Sequence, residues 1–156
     1  MRHSHFITIC FLLTSLLFSC SKVSHNGKLD GRWRMKECYS KTSKEDTHYT
    51  QYSNKMESSI FWSFHLNILQ ITSNSLLNGH SNNTMCRFVY EGDRLSITNV
   101  YINFRDKDSL ATDPNTTTFV PLGIRGNASN YHIKRLTSSE MILCSDMDSL
   151  IFYQLH

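Results

Sequence analysis

The strongest constraint on the fold is a strict alternation of apolar and polar residues at positions 60–68. The apolar positions on one face are Ile60, Trp62, Phe64, Leu66 and Ile68, and the opposite face carries Ser63, His65 and Asn67. Side chains of a β-strand point alternately to its two faces, so this pattern predicts one long strand with a single buried face. A shift of one residue would bury the polar set, and the pattern therefore also specifies the register.

Compact polar turns separate further segments of extended character. Segments 85–90 and 94–98 flank Glu91-Gly92-Asp93, which predicts a hairpin. The last part of the chain predicts a three-strand meander with strands at 131–136, 141–144 and 150–155.

The strand count depends on Asn99. Residues 100–104 continue in extended character after Asn99, which we interpret as a possible corner between two strands. With a first strand around Trp33 and Met35, the count is seven or eight strands with short turns. No stretch has a convincing helical period, so the chain predicts an antiparallel barrel or sandwich.

Three connections are long and polar, at 40–57, 73–84 and 105–130. Loops of this length in a compact domain are usually functional or mobile. The third contains the apolar segment 119–124, which is either a plug across one end of a barrel or a short extra strand, and we favour the plug. In an up-and-down barrel, 105–130 shares an end with 40–57 if Asn99 is a corner, and otherwise lies at the opposite end.

The N-terminus predicts export. Arg2 precedes the apolar run 6–18, and Leu17-Phe18-Ser19-Cys20 then resembles the lipobox of bacterial lipoproteins. The run is too short for a transmembrane anchor, which needs about 20 apolar residues, and an ordinary cleaved signal is the stronger alternative. We predict a lipoprotein signal peptide at 1–19, a lipidated Cys20 with a flexible tether at 20–28, and one domain at 29–156.

The residues after Cys20 bear on location. No Asp follows Cys20, and there is no acidic run of the kind that resembles a surface-export signal. We therefore expect an outer-membrane lipoprotein of the cell envelope that faces the periplasm, held by its acyl chains, because two or more chains anchor stably.

The start of the domain carries a family resemblance. Gly31-Arg32-Trp33, soon after the expected anchor, resembles the opening strand of the lipocalin-like lipoproteins of Bacteroidota. The aromatic strand at 61–64, the segment 90–97 and the ending at 136–143 are similar in kind. The resemblance implies an all-β, antiparallel up-and-down barrel of about eight strands with long loops at its ends. A late Arg that packs on the first-strand Trp in true lipocalins is missing from 146–156.

The resemblance also implies a barrel interior that binds one small apolar molecule. The candidate interior residues are Trp33, Met35, Ile60, Trp62, Phe64, Leu66, Phe88, Tyr90, Leu95, Tyr131 and Phe152, together with Ile97, Ile133 and Leu143. An eight-stranded barrel either is filled by its own side chains or just holds one small ligand. Both interpretations stay open.

Cysteine spacing and charge exclude several classes. Cys38, Cys86 and Cys144 contain no Cys-x-x-Cys motif and fall on the first, third and seventh predicted strands, too far apart for a disulfide although the compartment permits one. Removing residues 1–19 lowers the formal net charge from +3 by the one charge of Arg2, to +2. This near-neutral surface argues against a nucleic-acid partner.

The sequence offers no catalytic signature. It has no Gly-x-Ser-x-Gly or His-Glu-x-x-His motif, and His65 is predicted to be exposed while His80 and His132 are isolated histidines. The acidic loop around Asp106, Asp108 and Asp113 lacks the spacing of a calcium site. We predict a protein that is not an enzyme and that has no metal or cofactor site.

Two functional classes remain. The first is a monomeric, membrane-anchored binding protein that holds a small hydrophobic ligand. The second is an interaction module, an inhibitor or accessory subunit for another envelope protein, which acts through its loops around a side-chain-filled barrel.

Overall fold

The computed structural model describes residues 24–52, 60–73, 83–103, 108–111 and 119–155. The predicted signal peptide and Cys20 lie outside these residues. The strands are β1 (Gly31–Ser40), β2 (Thr50–Gln51), β3 (Ile60–His65), β4 (Ile68–Ser73), β5 (Asn83–Glu91), β6 (Arg94–Asn103), β7 (Asp108–Leu110), β8 (Ala128–Leu136), β9 (Glu140–Cys144) and β10 (Asp148–Leu155). Within these residues, short 3-10 turns occur at Gly27–Leu29 and Val120–Leu122. In the described part of the chain, no helix is long and apolar enough to cross a membrane.

Eight of these strands close into an antiparallel barrel. Each pairs with its neighbour in the order β10-β9-β8-β6-β5-β4-β3-β1, and β1 pairs with β10 to complete the circle. The short strands β2 and β7 pair with β1 and β6 outside this circle. The predicted all-β, up-and-down barrel of about eight strands is confirmed.

The alternating segment 60–68 is a hairpin, so the prediction of a single long strand was wrong. β3 ends at His65, β4 begins at Ile68, and these two residues pair across the turn Leu66-Asn67. Leu66 adopts a φ of 54°, a left-handed conformation that residues other than glycine seldom adopt. Because no glycine or proline marks this turn, the alternation continues through it and conceals it.

Asn99 is a kink within one strand and not a corner between two. β6 runs without a break through this position, where Asn99 has a φ of 50°. In the pairing of β5 with β6, Asn99 and Val100 together oppose Cys86, so the kink is a β-bulge within β6. The eighth barrel strand therefore comes from the concealed hairpin rather than from Asn99.

The two ends of the barrel differ in their connections. The turns at 66–67, 92–93 and 137–139 are short and lie at the end where β1 begins, which we name the closed end. The connections that follow β1, β4 and β6 are long and lie at the opposite end, which we name the loop end. Segments 40–57 and 105–130 thus share an end. The sequence predicts this only with a corner at Asn99, and the strand that brings it about is instead the second strand of the hairpin at Leu66.

A capping turn covers the closed end. Leu29, in the turn Gly27–Leu29, is fully buried, and its carbonyl accepts a hydrogen bond of 2.9 Å from Trp33 Nε1. Asn26 Nδ2 donates to the Leu66 carbonyl at 2.7 Å. The contacts of the fold therefore begin before the predicted boundary at Leu29. All strands of the closed barrel and this cap lie within residues 24–155, so a chain of residues 24–156 retains every described contact.

Gln154 occupies the closed end where the sequence lacks a late Arg. It lies opposite Trp33 in the pairing of β1 with β10. Its Nε2 donates to the Asp30 carbonyl at 3.3 Å, and its backbone N–H donates to Ser139. Through its neutral side chain and its backbone, Gln154 thus joins the chain entering β1 to the turn before β9.

Candidate functional site

The predicted interior residues lie inside the barrel with one exception. Those that are buried, with exposures between 0% and 7%, are Trp33, Met35, Ile60, Trp62, Phe64, Phe88, Leu95, Ile97, Tyr131, Leu143 and Phe152. Tyr90 and Ile133 are partly buried and pack against this core.

Leu66 is the exception, and its prediction as an interior residue was wrong. It lies in the turn between β3 and β4, where its side chain is 52% exposed. The interior positions of this hairpin's second strand are Leu69 and Ile71, which are almost fully buried. Their own alternation with Gln70 and Thr72 is visible in the sequence and would have identified them had the turn been recognised.

Trp62 lies at the centre of an aromatic cluster. Its ring centroid lies 4.9 Å from that of Phe152, 6.0 Å from Phe64 and 6.5 Å from Tyr131. Phe64 in turn meets Phe88 edge to face at 5.1 Å. These separations are typical of favourable aromatic pairs. The cluster forms an apolar floor across the barrel.

The apolar segment 119–124, which we name the plug, closes the barrel above this floor. Its side chains at Phe119, Val120, Leu122 and Ile124 are buried, and residues 120–122 form a 3-10 turn instead of a strand. The predicted plug is confirmed over the extra strand. The short extra strand of this connection, β7, lies earlier in the chain.

Three barrel side chains contact the backbone carbonyls of the plug. Trp62 Nε1 donates to the Leu122 carbonyl at 3.0 Å, and Tyr131 Oη donates to the Gly123 carbonyl at 2.5 Å. Cys38 Sγ lies 3.7 Å from the Val120 carbonyl, as a weak thiol donor. The plug is thus attached through side chains and not through a strand ladder.

Gly123 allows the plug to enter this deeply. Its φ of 79° is left-handed, which favours glycine. A Cβ at this position would lie 2.8 Å from Leu150 Cδ1 and 3.1 Å from both Met35 Cε and Trp62 Cζ2. The plug backbone therefore contacts the barrel wall directly.

Arg125 ties the end of the plug to the rim of the barrel. Its Nε lies 2.8 Å from Asp148 Oδ2 and its Nη2 lies 2.9 Å from Oδ1, a bidentate ion pair. Nη2 also donates to the Lys41 carbonyl at 2.8 Å and to Ser40 Oγ, which donates to Asp148 at 2.5 Å. We name Ser40, Arg125 and Asp148 the clasp. Sequence reasoning missed it because its members are far apart in the chain.

Burial and the clasp shift several pKa values around the plug. Burial raises the pKa of Cys38 to about 12 and that of Tyr131 well above its ordinary value. The hydrogen bond to Asp148 raises the pKa of Arg125. At neutral pH the plug is therefore surrounded by a neutral thiol, a neutral phenol and a charged guanidinium, none of which is poised for acid–base chemistry.

The titratable residues singled out from the sequence are dispersed. His65 is exposed, as predicted, and His132 Nδ1 lies 3.0 Å from Asp93 Oδ2 in an exposed pair. His80, Asp106 and Asp113 lie outside the described residues, as does the side chain of Asp108. Among the residues described, His, Cys, Asp and Glu form no group of three or more that could hold a metal ion.

The three cysteines in the described part of the chain form no disulfide with one another. Cys38 and Cys86 are buried, and Cys144 is half-buried. They lie on β1, β5 and β9, which are the first, fourth and seventh strands of the barrel. The prediction that Cys86 lies on the third strand was therefore wrong. The concealed hairpin accounts for this difference.

A groove of about 720 Å³ lies on one side of the barrel, along β6, β8 and the turn 145–147. Exposed Arg94, His132 and Lys134 line one part of it, and Lys44 and Asp146 line another. Most of the residues that line the groove are polar or charged and the groove is open to solvent, whereas the interior under the plug is apolar and buried.

The comparisons with known proteins agree with this architecture. The family model of the lipocalin-like domain matches residues 13–155. The chain belongs to the lipocalin-like domain family. A solved lipocalin-like protein from Bacteroides uniformis is similar, with a TM-score of 0.54 and 17% identity, over 83% of this chain and 100% of that one. An uncharacterized protein from Bacteroides eggerthii is similar over 81% of this chain and 98% of its own, with a TM-score of 0.52 and 16% identity. No curated protein matches the chain.

The lipocalin-like fold is typically a non-enzymatic fold built for binding. An eight-stranded barrel is either filled by its own side chains or just wide enough to hold one small molecule. Membership of the family therefore indicates a small-molecule binding barrel.

Proposed function

We propose that this lipocalin-like protein is a lipoprotein of the cell envelope, anchored at Cys20, that binds one small apolar molecule in the loop-end half of its barrel. The observation that carries the proposal is the plug. It fills this half of the interior with a segment outside the sheet, whereas the remaining interior is filled by strand side chains. Interior space that is filled by one separable segment is suited to reversible binding, because a ligand can take the place of that segment.

The chemistry under the plug supports an apolar molecule with one or two polar atoms. When the plug moves out, Trp62, Phe152 and Met35 remain as an apolar floor. The indole N–H of Trp62 and the hydroxyl of Tyr131 then lose their carbonyl partners, and each is a donor at the edge of an apolar cavity. Pockets that combine apolar walls with a few placed donors are typical ligand sites.

The clasp determines how often the plug opens. Binding requires the open state, so the apparent affinity for an apolar molecule is lowered by the small fraction of open protein. Loosening the clasp raises that fraction without removing any atom from the cavity wall. An apolar molecule should then bind more tightly.

The test uses residues 24–156 and the fluorescent apolar probe N-phenyl-1-naphthylamine. We expect Arg125→Gln to bind the probe about tenfold more tightly than the wild type. Loss of Arg125 should reduce the free energy that favours the closed plug by about 1.4 kcal/mol, which corresponds to a factor of ten in the open fraction. Arg135→Gln is the matched control, since Arg135 pairs with Glu140 at 2.9 Å on an exposed part of the barrel. Its probe affinity should equal that of the wild type.

A second variant guards against loss of folding. Arg125→Gln leaves the carboxylate of Asp148, whose side chain is 5% exposed, without its cation. An unpaired buried charge is costly, so the double variant Arg125→Gln with Asp148→Asn removes both charges together. If neither variant binds the probe more tightly than the wild type, the plug is a permanent part of the core and the binding proposal is wrong.

The interaction module is the second candidate. It is favoured by the packed interior, in which the described core side chains contact one another, and by the polar groove as a separate surface. Native mass spectrometry of the chain after mild extraction separates the two candidates. A reproducible small-molecule mass supports the binding barrel, and a protein adduct supports the interaction module.

A further inference from the structure

The outer face of β1 carries a row of cations. Arg32, Arg34 and Lys36 are exposed and alternate with Trp33 and Met35, which point into the barrel. The hydrogen bond from Lys36 Nζ to Tyr153 Oη raises the pKa of Lys36. Lys36 is therefore charged at neutral pH.

Apolar side chains on the two neighbouring strands flank this row. Arg32 lies opposite Leu155 of β10, and Arg34 lies between Tyr153 and Phe61. The guanidinium carbon of Arg32 lies 4.3 Å from the Phe61 ring centroid, and Lys36 Nζ lies 5.2 Å from that of Tyr153. Tyr153 and Leu155 are 42% and 41% exposed. We name this surface the β1 patch; its members are Arg32, Arg34, Lys36, Phe61, Tyr153 and Leu155.

Carboxylates contribute little to the β1 patch. Glu37 lies 3.4 Å from Lys36 Nζ and pairs with it at the edge of the β1 patch nearer the loop end. In the described part of the chain, Arg32 and Arg34 form no ion pair. A surface that combines unneutralised cations with exposed aromatic and aliphatic side chains matches a lipid interface, where anionic headgroups lie above acyl chains.

The position of the β1 patch in the fold also supports contact with a lipid surface. It adjoins the closed end, where the described chain begins at Ser24. At most about 14 Å of extended chain separates Ser24 from residue 20, at about 3.5 Å per residue. Leu66, which is 52% exposed, projects from the turn at this end, and Asn26 contacts its carbonyl.

We propose that the β1 patch and Leu66 seat the closed end of the barrel on an anionic lipid surface, which leaves the loop end and its plug facing away from the membrane. The proposal relies on the anchor at Cys20 only to bring the barrel close to the surface. A short tether makes the second contact intramolecular, so a weak intrinsic affinity is sufficient.

The test measures co-sedimentation of residues 24–156 with vesicles at low salt. Vesicles of phosphatidylglycerol and phosphatidylcholine are compared with vesicles of phosphatidylcholine alone. A basic residue near such a surface contributes about a fivefold gain in binding, so Arg32→Gln with Arg34→Gln and Lys36→Gln should weaken binding roughly a hundredfold. All three residues are exposed, and far-ultraviolet circular dichroism checks that the variant is folded.

The matched control removes the same charge elsewhere. Lys41→Gln with Lys44→Gln neutralises two cations that follow β1 at the loop end, away from the proposed membrane contact. It is compared with Arg32→Gln with Arg34→Gln, which should weaken binding to anionic vesicles roughly thirtyfold. We expect the control to bind these vesicles within about twofold of the wild type. Equal loss in the two double variants would show that net charge, and not the β1 patch, causes binding. A wild type that does not prefer anionic vesicles would overturn the proposal and leave an acidic protein as the candidate partner. Neither result depends on what the barrel interior binds.

Discussion

Each end of the barrel is closed by a short turn that accepts a hydrogen bond from a tryptophan, but the two turns differ in how far along the chain they lie from that tryptophan. At the closed end, the indole N–H of Trp33 donates to the carbonyl of Leu29, four residues earlier in the chain. At the loop end, the indole N–H of Trp62 donates to the carbonyl of Leu122, 60 residues later. In both cases the acceptor belongs to a 3-10 turn that buries a leucine.

This difference in separation has a physical consequence. The cap at Leu29 continues directly into β1, so it forms together with the first strand. The plug comes from a long connection between β6 and β8, and its placement costs loop-closure entropy that its contacts must offset. Segments held by few contacts open before the rest of a fold. The comparison therefore predicts that the loop end opens while the strands stay paired.

The largest expected effects come from the two tryptophans. Trp33→Ala and Trp62→Ala should each lower the free energy of unfolding by about 3–5 kcal/mol, because each removes a fully buried side chain. Only Trp62→Ala should also change the affinity for N-phenyl-1-naphthylamine. Urea denaturation and probe titration of both variants check this, and an equal change in probe binding would remove the distinction between the ends.

A glycine at each end gives the next effect. Gly123→Ala should cost about 2–4 kcal/mol, since it adds a clash with Leu150 to the strain of a left-handed residue. Gly92→Ala, in a turn at the closed end, should cost about 1 kcal/mol, because its φ of 60° is strained but no atom lies within 4 Å of the added Cβ. Thermal unfolding measures both. Equal costs would mean that the plug does not press against the wall.

Alkaline pH should give the smallest effect. Burial raises the pKa of Cys38 and Cys86 from 9.0 to about 12. Between these two pH values the thiols are ionised in the unfolded chain but stay neutral in the folded protein. Their contribution is complete below pH 9 and is lost as the pH rises toward 12. We expect a loss on the order of 2 kcal/mol for the two thiols together by about pH 9.5. Urea denaturation across this range measures it, and Cys86→Ala should reduce the slope.

Much of the barrel follows from local pattern, and the exceptions have physical causes. Glu91-Gly92-Asp93 identifies its hairpin, because a polar turn with glycine separates two alternating segments. The hairpin at Leu66 is concealed, since a leucine in a left-handed conformation carries no sequence signal. The strand count was therefore correct while one of its strands was misplaced.

The two parts of the candidate site, the plug and the clasp, also differ in whether the sequence predicts them. The plug is predictable because an apolar segment within a polar connection must be buried somewhere. The clasp is not, because Arg125 meets Ser40 across 85 residues and Asp148 across 23. Asp148 precedes the strand predicted at 150–155, whereas in the structure it begins β10 and is buried. Only the closed barrel brings these residues together.

The most direct test of the account is the rate of maleimide labelling at each cysteine of the full chain, with the modified sites identified by mass spectrometry. Cys38 lies under the plug and Cys86 lies in the barrel wall, and both are buried. If the plug opens while the barrel stays closed, Arg125→Gln will speed labelling at Cys38 about tenfold and leave Cys86 unchanged. If labelling of the two cysteines rises together, the plug opens only when the whole barrel unfolds, which would contradict the account.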